Sequence, residues 1–276
     1  MRRFSSSLRL LALGLLGLGA FGASPAVSAS IVPHRAIYAM NLAGVKNGSD
    51  ITDVSGRMLF EWRDVCDGWA IQQHMRLHFS YSDDDDQDLA STELTWESKD
   101  GKRYNFNIRR VTNGKETENY RGKAQRNDDG SVTVTYSVPN NKTVHLPVGT
   151  LFPTAHTELI LENAARGDKF FTRRVFDGSD ADGASDISAF VLPPRAAAAE
   201  EGLDAKMKEN PLVSGNAFPV HMAFFKIGGE TGEPDYEMDL SLMPSGIARR
   251  MKIDYGDFSV TGNLQEVEAL PAQNCP

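Results

Sequence analysis

Apolar and polar residues alternate with a period of two through most of the chain, the pattern of strands that bury one face. It is clearest where Ile71, Gln73, Met75, Leu77 and Phe79 interleave with Gln72, His74, Arg76 and His78. Similar runs predict strands over residues 37–42, 51–65, 69–81, 89–96, 103–111, 116–124 and 132–136. Asn47-Gly48, Asp100-Gly101, Asn113-Gly114 and Asp129-Gly130 punctuate them, dipeptides suited to hairpin loops that need positive φ. A helical period appears once, after Leu146-Pro147-Val148-Gly149-Thr150-Leu151-Phe152-Pro153. There Ala155, Leu159, Ile160 and Asn163 or Ala164 share one face, Pro153 suits the first turn and Gly167 the stop. Strands resume at 169–176 and 187–192. Residues 196–210 favour helix in composition but are broken by Gly202 and show no apolar face, so a mobile insertion is expected. Four further strands are predicted at 218–227, 236–243, 247–255 and 258–267. Thirteen or fourteen strands with short links imply an all-β fold: an antiparallel many-stranded sheet rolled into a spiral or open barrel, with one main helix.

The first 29 residues break this pattern. Arg2, Arg3 and Arg9 precede an apolar run from Leu10 to Gly22, and Ser24-Pro25-Ala26-Val27-Ser28-Ala29 supplies small residues for cleavage. The run is short of the roughly 20 residues a helical span needs, so a secretory leader is expected, not an anchor. Residues 30–276 are then expected to form one exported, soluble domain that does not span the membrane. No cysteine follows the apolar run, so a lipid-modified cysteine is not expected. Losing the leader's three arginines takes Lys+Arg from 29 to 26 against 37 acids, a net charge of −11. That balance argues against nucleic acid as a partner.

Cys66 and Cys275 are the two cysteines. In an exported chain such a pair points to a structural disulfide, with free thiols the alternative, and the spacing suits neither zinc nor redox motifs. The sequence lacks G-x-S-x-G, S-x-x-K, H-E-x-x-H, a phosphate-cradling glycine loop and a dinucleotide fingerprint, so a catalytic residue, cofactor or metal is not expected. Asp83 to Asp86 lack the spaced ligands of a calcium loop and read as a solvated turn. His74 and His78 stand about 13 Å apart on a strand, too far for one ion. His156 with Glu158 near a helix start is the better acid/base candidate, though a hydrogen-bonded structural histidine is the expectation. Trp62, Trp69, Phe79 and Trp96 either line an apolar ligand cavity or fill the sheet core. Asn47-Gly48-Ser49 and Asn141-Lys142-Thr143 match the glycosylation sequon but read as unmodified turns.

Several segments together resemble one family. They are Pro33-His34-Arg35-Ala36-x-Tyr38, Trp62-x3-Cys66-Asp67-Gly68-Trp69, Leu146-Pro147-x-Gly149-Thr150-Leu151-Phe152-Pro153-x2-His156, Asp177-Gly178-Ser179-Asp180 and Cys275. Across the mature chain the sequence is similar to the periplasmic cell-envelope integrity EipB proteins of Gram-negative bacteria. The resemblance implies a spiral-like antiparallel sheet, a Cys66–Cys275 disulfide and a role in envelope integrity under stress. It also implies a functional connection with a tetratricopeptide-repeat periplasmic protein. It carries over no catalytic residue and leaves the roles of Gly149, Phe152, Pro153 and His156 open. The expected function is non-enzymatic binding of protein or apolar envelope components. A hydrolase or transferase acting on envelope polymers through His156 and Glu158, and a lipid or lipoprotein carrier, are the alternatives.

Overall fold

The computed structural model describes residues 30–276 except 84, 141, 182, 229–231, 272, 274 and 276. The leader predicted at 1–29 lies outside the described residues. The elements in chain order are β1 His34–Val45, β2 Ile51–Asp64, β3 Gly68–Tyr81, β4 Gln87–Ser98, β5 Arg103–Thr112, β6 Lys115–Arg126, β7 Val132–Val138 and β8 Lys142–Leu146. Then follow α1 Pro153–Arg166, β9 Phe170–Val175, β10 Ser185–Val191, β11 Arg195–Ala196, α2 Ala205–Glu209, β12 Asn216–Lys226, β13 Tyr236–Leu242, β14 Ala248–Asp254 and β15 Phe258–Ala269.

The fifteen strands form an antiparallel sheet in the order β8-β7-β6-β5-β4-β3-β2-β1-β15-β14-β13-β12-β10-β9, with β11 beside β12. Short hairpins account for most neighbours. The exception organises the fold: β1 pairs with β15, so the first and last strands meet in the middle and the edges are β8 and β9. The sheet rolls without closing. Leu151 continues the β9 edge through a parallel bridge to Val175. The expected strands are present, and the structure adds two short ones, β8 and β11.

Register assigns the two faces. Along β1, His34, Ala36, Tyr38 and Met40 align with Trp62, Phe60, Met58 and Gly56 of β2, and these lie on the inner face. The same phase carries Leu77 and Phe79 on β3, Tyr104, Phe106 and Ile108 on β5, and Val220, Met222 and Phe224 on β12. Nearly all of these inner residues are buried.

Helix α1 lies inside the roll. Its Ile160 and Leu161 pack on Val175, Ile187, Ala189, Val191, Val220 and Met222, while its first turn reaches Glu97 on β4. Each of those two side chains contributes about 1.5–3 kcal/mol by burial, which a 14-residue helix needs because such a helix is marginal alone. Gly167 ends it in the left-handed region with φ 80°, its N–H bonded to the Ala164 carbonyl. At the β5–β8 end Phe152 and Phe176 complete a cluster with Tyr104, Phe106, Val134 and Tyr136. Gly178 is required there: at φ 78° its position would put a Cβ 2.6 Å from the Phe106 ring.

The segment expected to be a mobile insertion is instead built into the core. It forms a 3-10 turn at Ala197–Ala199 and the short helix α2, with Ala197, Leu203, Met207 and Val213 all buried. Its polarity misleads because one buried cation holds it. Arg249 is fully buried and donates to the carbonyls of Arg195 (3.0 Å), Gly215 (2.9 Å) and Val213 (3.4 Å), and to Glu200 (3.1 Å).

Candidate functional site

Two of the sequence-predicted features join the chain ends. The β2–β3 turn places Cys66 at φ 65°, with its N–H donating to Asp64 Oδ1 at 3.0 Å. Its sulfur is bonded to that of Cys275, with Cα atoms 5.4 Å apart. Trp62 and Trp69 sit beside this turn on the inner face, edge to face at 6.1 Å, and Lys99 lies over the Trp69 ring. Trp96 is in the opposite phase, paired with Ala70, and lies under the Arg103 guanidinium. The tryptophans and Phe79 therefore do not line one cavity.

The Gly149–His156 motif builds the entry to α1. Gly149 turns the chain at φ 86°, Thr150 Oγ1 donates to the Pro147 carbonyl, and Arg126 donates to the Thr150 carbonyl at 2.8 Å. Phe152 then stacks on Tyr104 at 5.1 Å, and Pro153 takes the first helical position. Phe152 has no side-chain oxygen to cap the helix. Glu97 does so from β4, accepting from the Thr154 N–H (2.7 Å) and the Ala155 N–H (3.0 Å). A carboxylate at a helix start satisfies orphan N–H groups and favours the helix dipole.

His156 departs from the expected hydrogen-bonded role. It is buried against Phe171, and its Nε2 has no partner among the described residues. Glu158 is two positions along α1, a spacing that does not bring side chains to one face. His156 and Glu158 are therefore not a converged acid/base pair.

Two buried groups at this helix titrate in opposing directions. Burial, against the two N–H bonds, pushes the Glu97 carboxyl up to about 7. Burial, then Arg173, holds the His156 imidazole down to about 4. A raised carboxyl contributes stability that is full below about 4.5 and lost as pH rises through 7. A depressed histidine contributes stability that is full above about 6.5 and lost as pH falls through 4. The contributions offset each other between, so Glu97→Gln is expected to leave stability rising with pH from 4 to 6.5. His156→Gln should leave it falling from 4.5 to 7. Melting temperatures across pH check both slopes, and parallel profiles for the two variants would contradict the assignment.

Beyond this filling, toward the end where β5 turns into β6 and β14 into β15, inner-phase side chains are partly exposed. On one wall Arg110 of β5 binds Glu118 of β6 and lies 3.8 Å from Glu93 of β4, with Ser91 Oγ donating to Glu93 at 3.4 Å. These are inner-face positions, in register with Phe106 and Ile108. Burial, opposed by Arg110 and reinforced by Asp177, raises the Glu93 carboxyl, although 29% of its side chain remains accessible. A desolvated group with that much access marks a recessed, wet wall.

The facing wall is aromatic. Phe224 stacks on Tyr236 at 4.1 Å, Tyr236 neighbours Tyr255 at 6.2 Å, and Tyr255 stacks on Phe258 at 5.1 Å, which meets Phe79 edge-on. Burial raises the Tyr255 phenol, with Arg110 and Glu93 acting across the gap, although the residue is 43% exposed. Arg110 and Glu93 act electrostatically on both Tyr236 and Tyr255, so the β4–β6 wall and the aromatic row, distant in sheet order, approach each other on the inner face.

Sequence reasoning missed Glu93, Glu97, Arg110 and Arg249. Arg110 and Arg249 carried a readable signal, since each continues an apolar alternation, Tyr104-Phe106-Ile108 and Ile247-Met251-Ile253, whereas Glu93 and Glu97 lie opposite the apolar Leu94 and Trp96 of their strand.

His74 and His78 do not approach one ion. His74 contacts Gln72 and Thr92, while His78 is held by Asp88 (2.9 Å) and Asp86 (3.2 Å). Among the described residues no group of three potential ligands could hold a metal, and no helix is long and apolar enough to cross a membrane.

An unclosed antiparallel roll with an internal helix and a two-walled lumen defines a β-barrel-like class of protein. The chain belongs to the EipB-like family, whose model matches residues 25–271. It is 30% identical over 253 residues to the cell envelope integrity protein EipB of Brucella abortus (strain 2308), covering 91% of this chain and 89% of that protein. A solved beta-barrel-like protein of a domain of unknown function from Brucella abortus is similar at a TM-score of 0.81 and 30% identity. The match spans 88% of this chain and 99% of that one. The relative is named for envelope integrity and not for a reaction.

Proposed function

We propose that this chain is a non-enzymatic periplasmic factor that maintains envelope integrity by binding an envelope component, protein or apolar, in its lumen. The observation that carries the reading is the aromatic row, exposed at Tyr255, beside the Glu93–Arg110–Glu118 cluster. Ring edges and phenols supply contact area, while the ion-paired wall supplies oriented donors and acceptors, the mix expected of a recognition pocket. The helix, Phe152 and Phe176 fill much of the roll, which favours recognition of one group over bulk lipid carriage. A tetratricopeptide-repeat periplasmic protein is the proposed partner class.

The test is complementation of a host lacking the gene, scored by survival in detergent. Wild type and His156→Ala are expected to restore survival, whereas Tyr255→Ala with Arg110→Gln should fail despite normal folding and export. Restoration by the lumen variant and failure of His156→Ala would instead support chemistry at α1.

A further inference from the structure

The outer face of the sheet holds a second feature, a groove of about 800 Å³ over β2–β5. Arg57 and Arg76 stand directly opposite each other on β2 and β3, both exposed. Their row continues through Ala90 and Val111. Like charges in direct cross-strand register repel each other. Here the repulsion is not relieved: among the described residues neither guanidinium has a hydrogen bond or ion pair, in contrast with Arg109 nearby, which binds Glu116 at 2.6 Å. The chain carries 37 acids against 29 basic groups, so unpaired neighbouring arginines are not a consequence of scarce carboxylates.

Two guanidiniums on adjacent strands, about 5 Å apart at the backbone, can grip one tetrahedral oxyanion from two sides. The floor beside them is apolar, formed by Ala90 and Val111. At the far corner Asp88 is engaged by His78, so the anion-seeking end is the arginine end. A free inorganic anion would leave the Ala90 and Val111 floor wet. We propose that this groove binds the phosphate headgroup of an anionic phospholipid, with Arg57 and Arg76 holding the phosphate and the Ala90–Val111 floor taking the adjoining apolar part. This inference rests on the envelope-binding reading but concerns the outer face and not the lumen.

The experiment is co-sedimentation of the folded protein with phosphatidylglycerol/phosphatidylcholine vesicles and with phosphatidylcholine vesicles alone. Wild type is expected to bind the anionic vesicles only. Arg57→Gln with Arg76→Gln should weaken binding about 30-fold, given the worth of two basic side chains at an anionic surface. Arg109→Gln, on the same face but paired, should stay within about twofold of wild type. Because neither Arg57 nor Arg76 makes a hydrogen bond or ion pair among the described residues and their charges repel, the double variant should keep or slightly raise its melting temperature. Binding to neither vesicle, equal binding by wild type and double variant, or saturable binding of inorganic phosphate alone would each overturn the proposal. A wild type that ignores anionic vesicles yet complements the deletion would overturn this site and leave the envelope role standing.

Discussion

Reducing the Cys66–Cys275 bond, or replacing Cys66 by Ser, is expected to produce the largest loss of stability open to a chemical treatment of this protein. The bond closes a loop of 209 residues, for which chain entropy gives roughly 5 kcal/mol as an upper figure. In a chain of this size that is on the order of 10 °C or more in melting temperature. The effect should be the same by either route, because the bond ties the β2–β3 turn to the tail that follows β15. The two strands concerned, β2 and β15, both flank β1, so the bond secures the middle of the sheet where the ends of the chain meet. Equal melting temperatures for oxidised and reduced protein would show that strand pairing alone holds that seam.

Arg249→Met is expected to cost about 3–5 kcal/mol, the usual consequence of removing one partner from a buried charged network. The substitution would remove the guanidinium donor from the Arg195 and Gly215 carbonyls and leave the Glu200 carboxylate with the Ser241 hydroxyl. The insertion between β11 and β12 should then loosen before the sheet does. Urea unfolding is expected to show a lower midpoint, and limited proteolysis should cut within residues 197–214 of the variant but not of wild type. An unchanged midpoint with no new cleavage would mean that burial of Leu203, Met207 and Val213 suffices without the guanidinium.

These two sites show where sequence reasoning succeeds and where it stops. Period-two alternation located the long strands because each buries one face, and Asn-Gly and Asp-Gly turns fixed most of their ends. The strand β8, Lys-Thr-Val-His-Leu, escaped because it is short, lies at an edge and buries only Leu146. The insertion escaped for a different reason: its buried residues are spread over a turn and a five-residue helix, too short to display a period. Its anchor, Arg249, lies 34 residues beyond Gly215 in the chain. The lumen was half visible. Its aromatic residues lie in ordinary core phase and read as core. Arg110 breaks the apolar phase of its strand and Glu93 does not, and only the rolled sheet shows that they approach Tyr236 and Tyr255. His156 marks the limit of motif reading, since its neighbourhood suggested acid/base work and its burial leaves it an uncharged residue with an unpartnered Nε2.

The central claim is that the lumen between the aromatic row and the Glu93–Arg110–Glu118 wall holds an envelope component. Native mass spectrometry of the protein released from its host envelope without denaturation tests it most directly. The account predicts an additional bound mass on wild type that is absent from the folded Tyr255→Ala, Arg110→Gln variant. A spectrum showing only the mass of the chain for wild type, or the same added mass on both proteins, would contradict it.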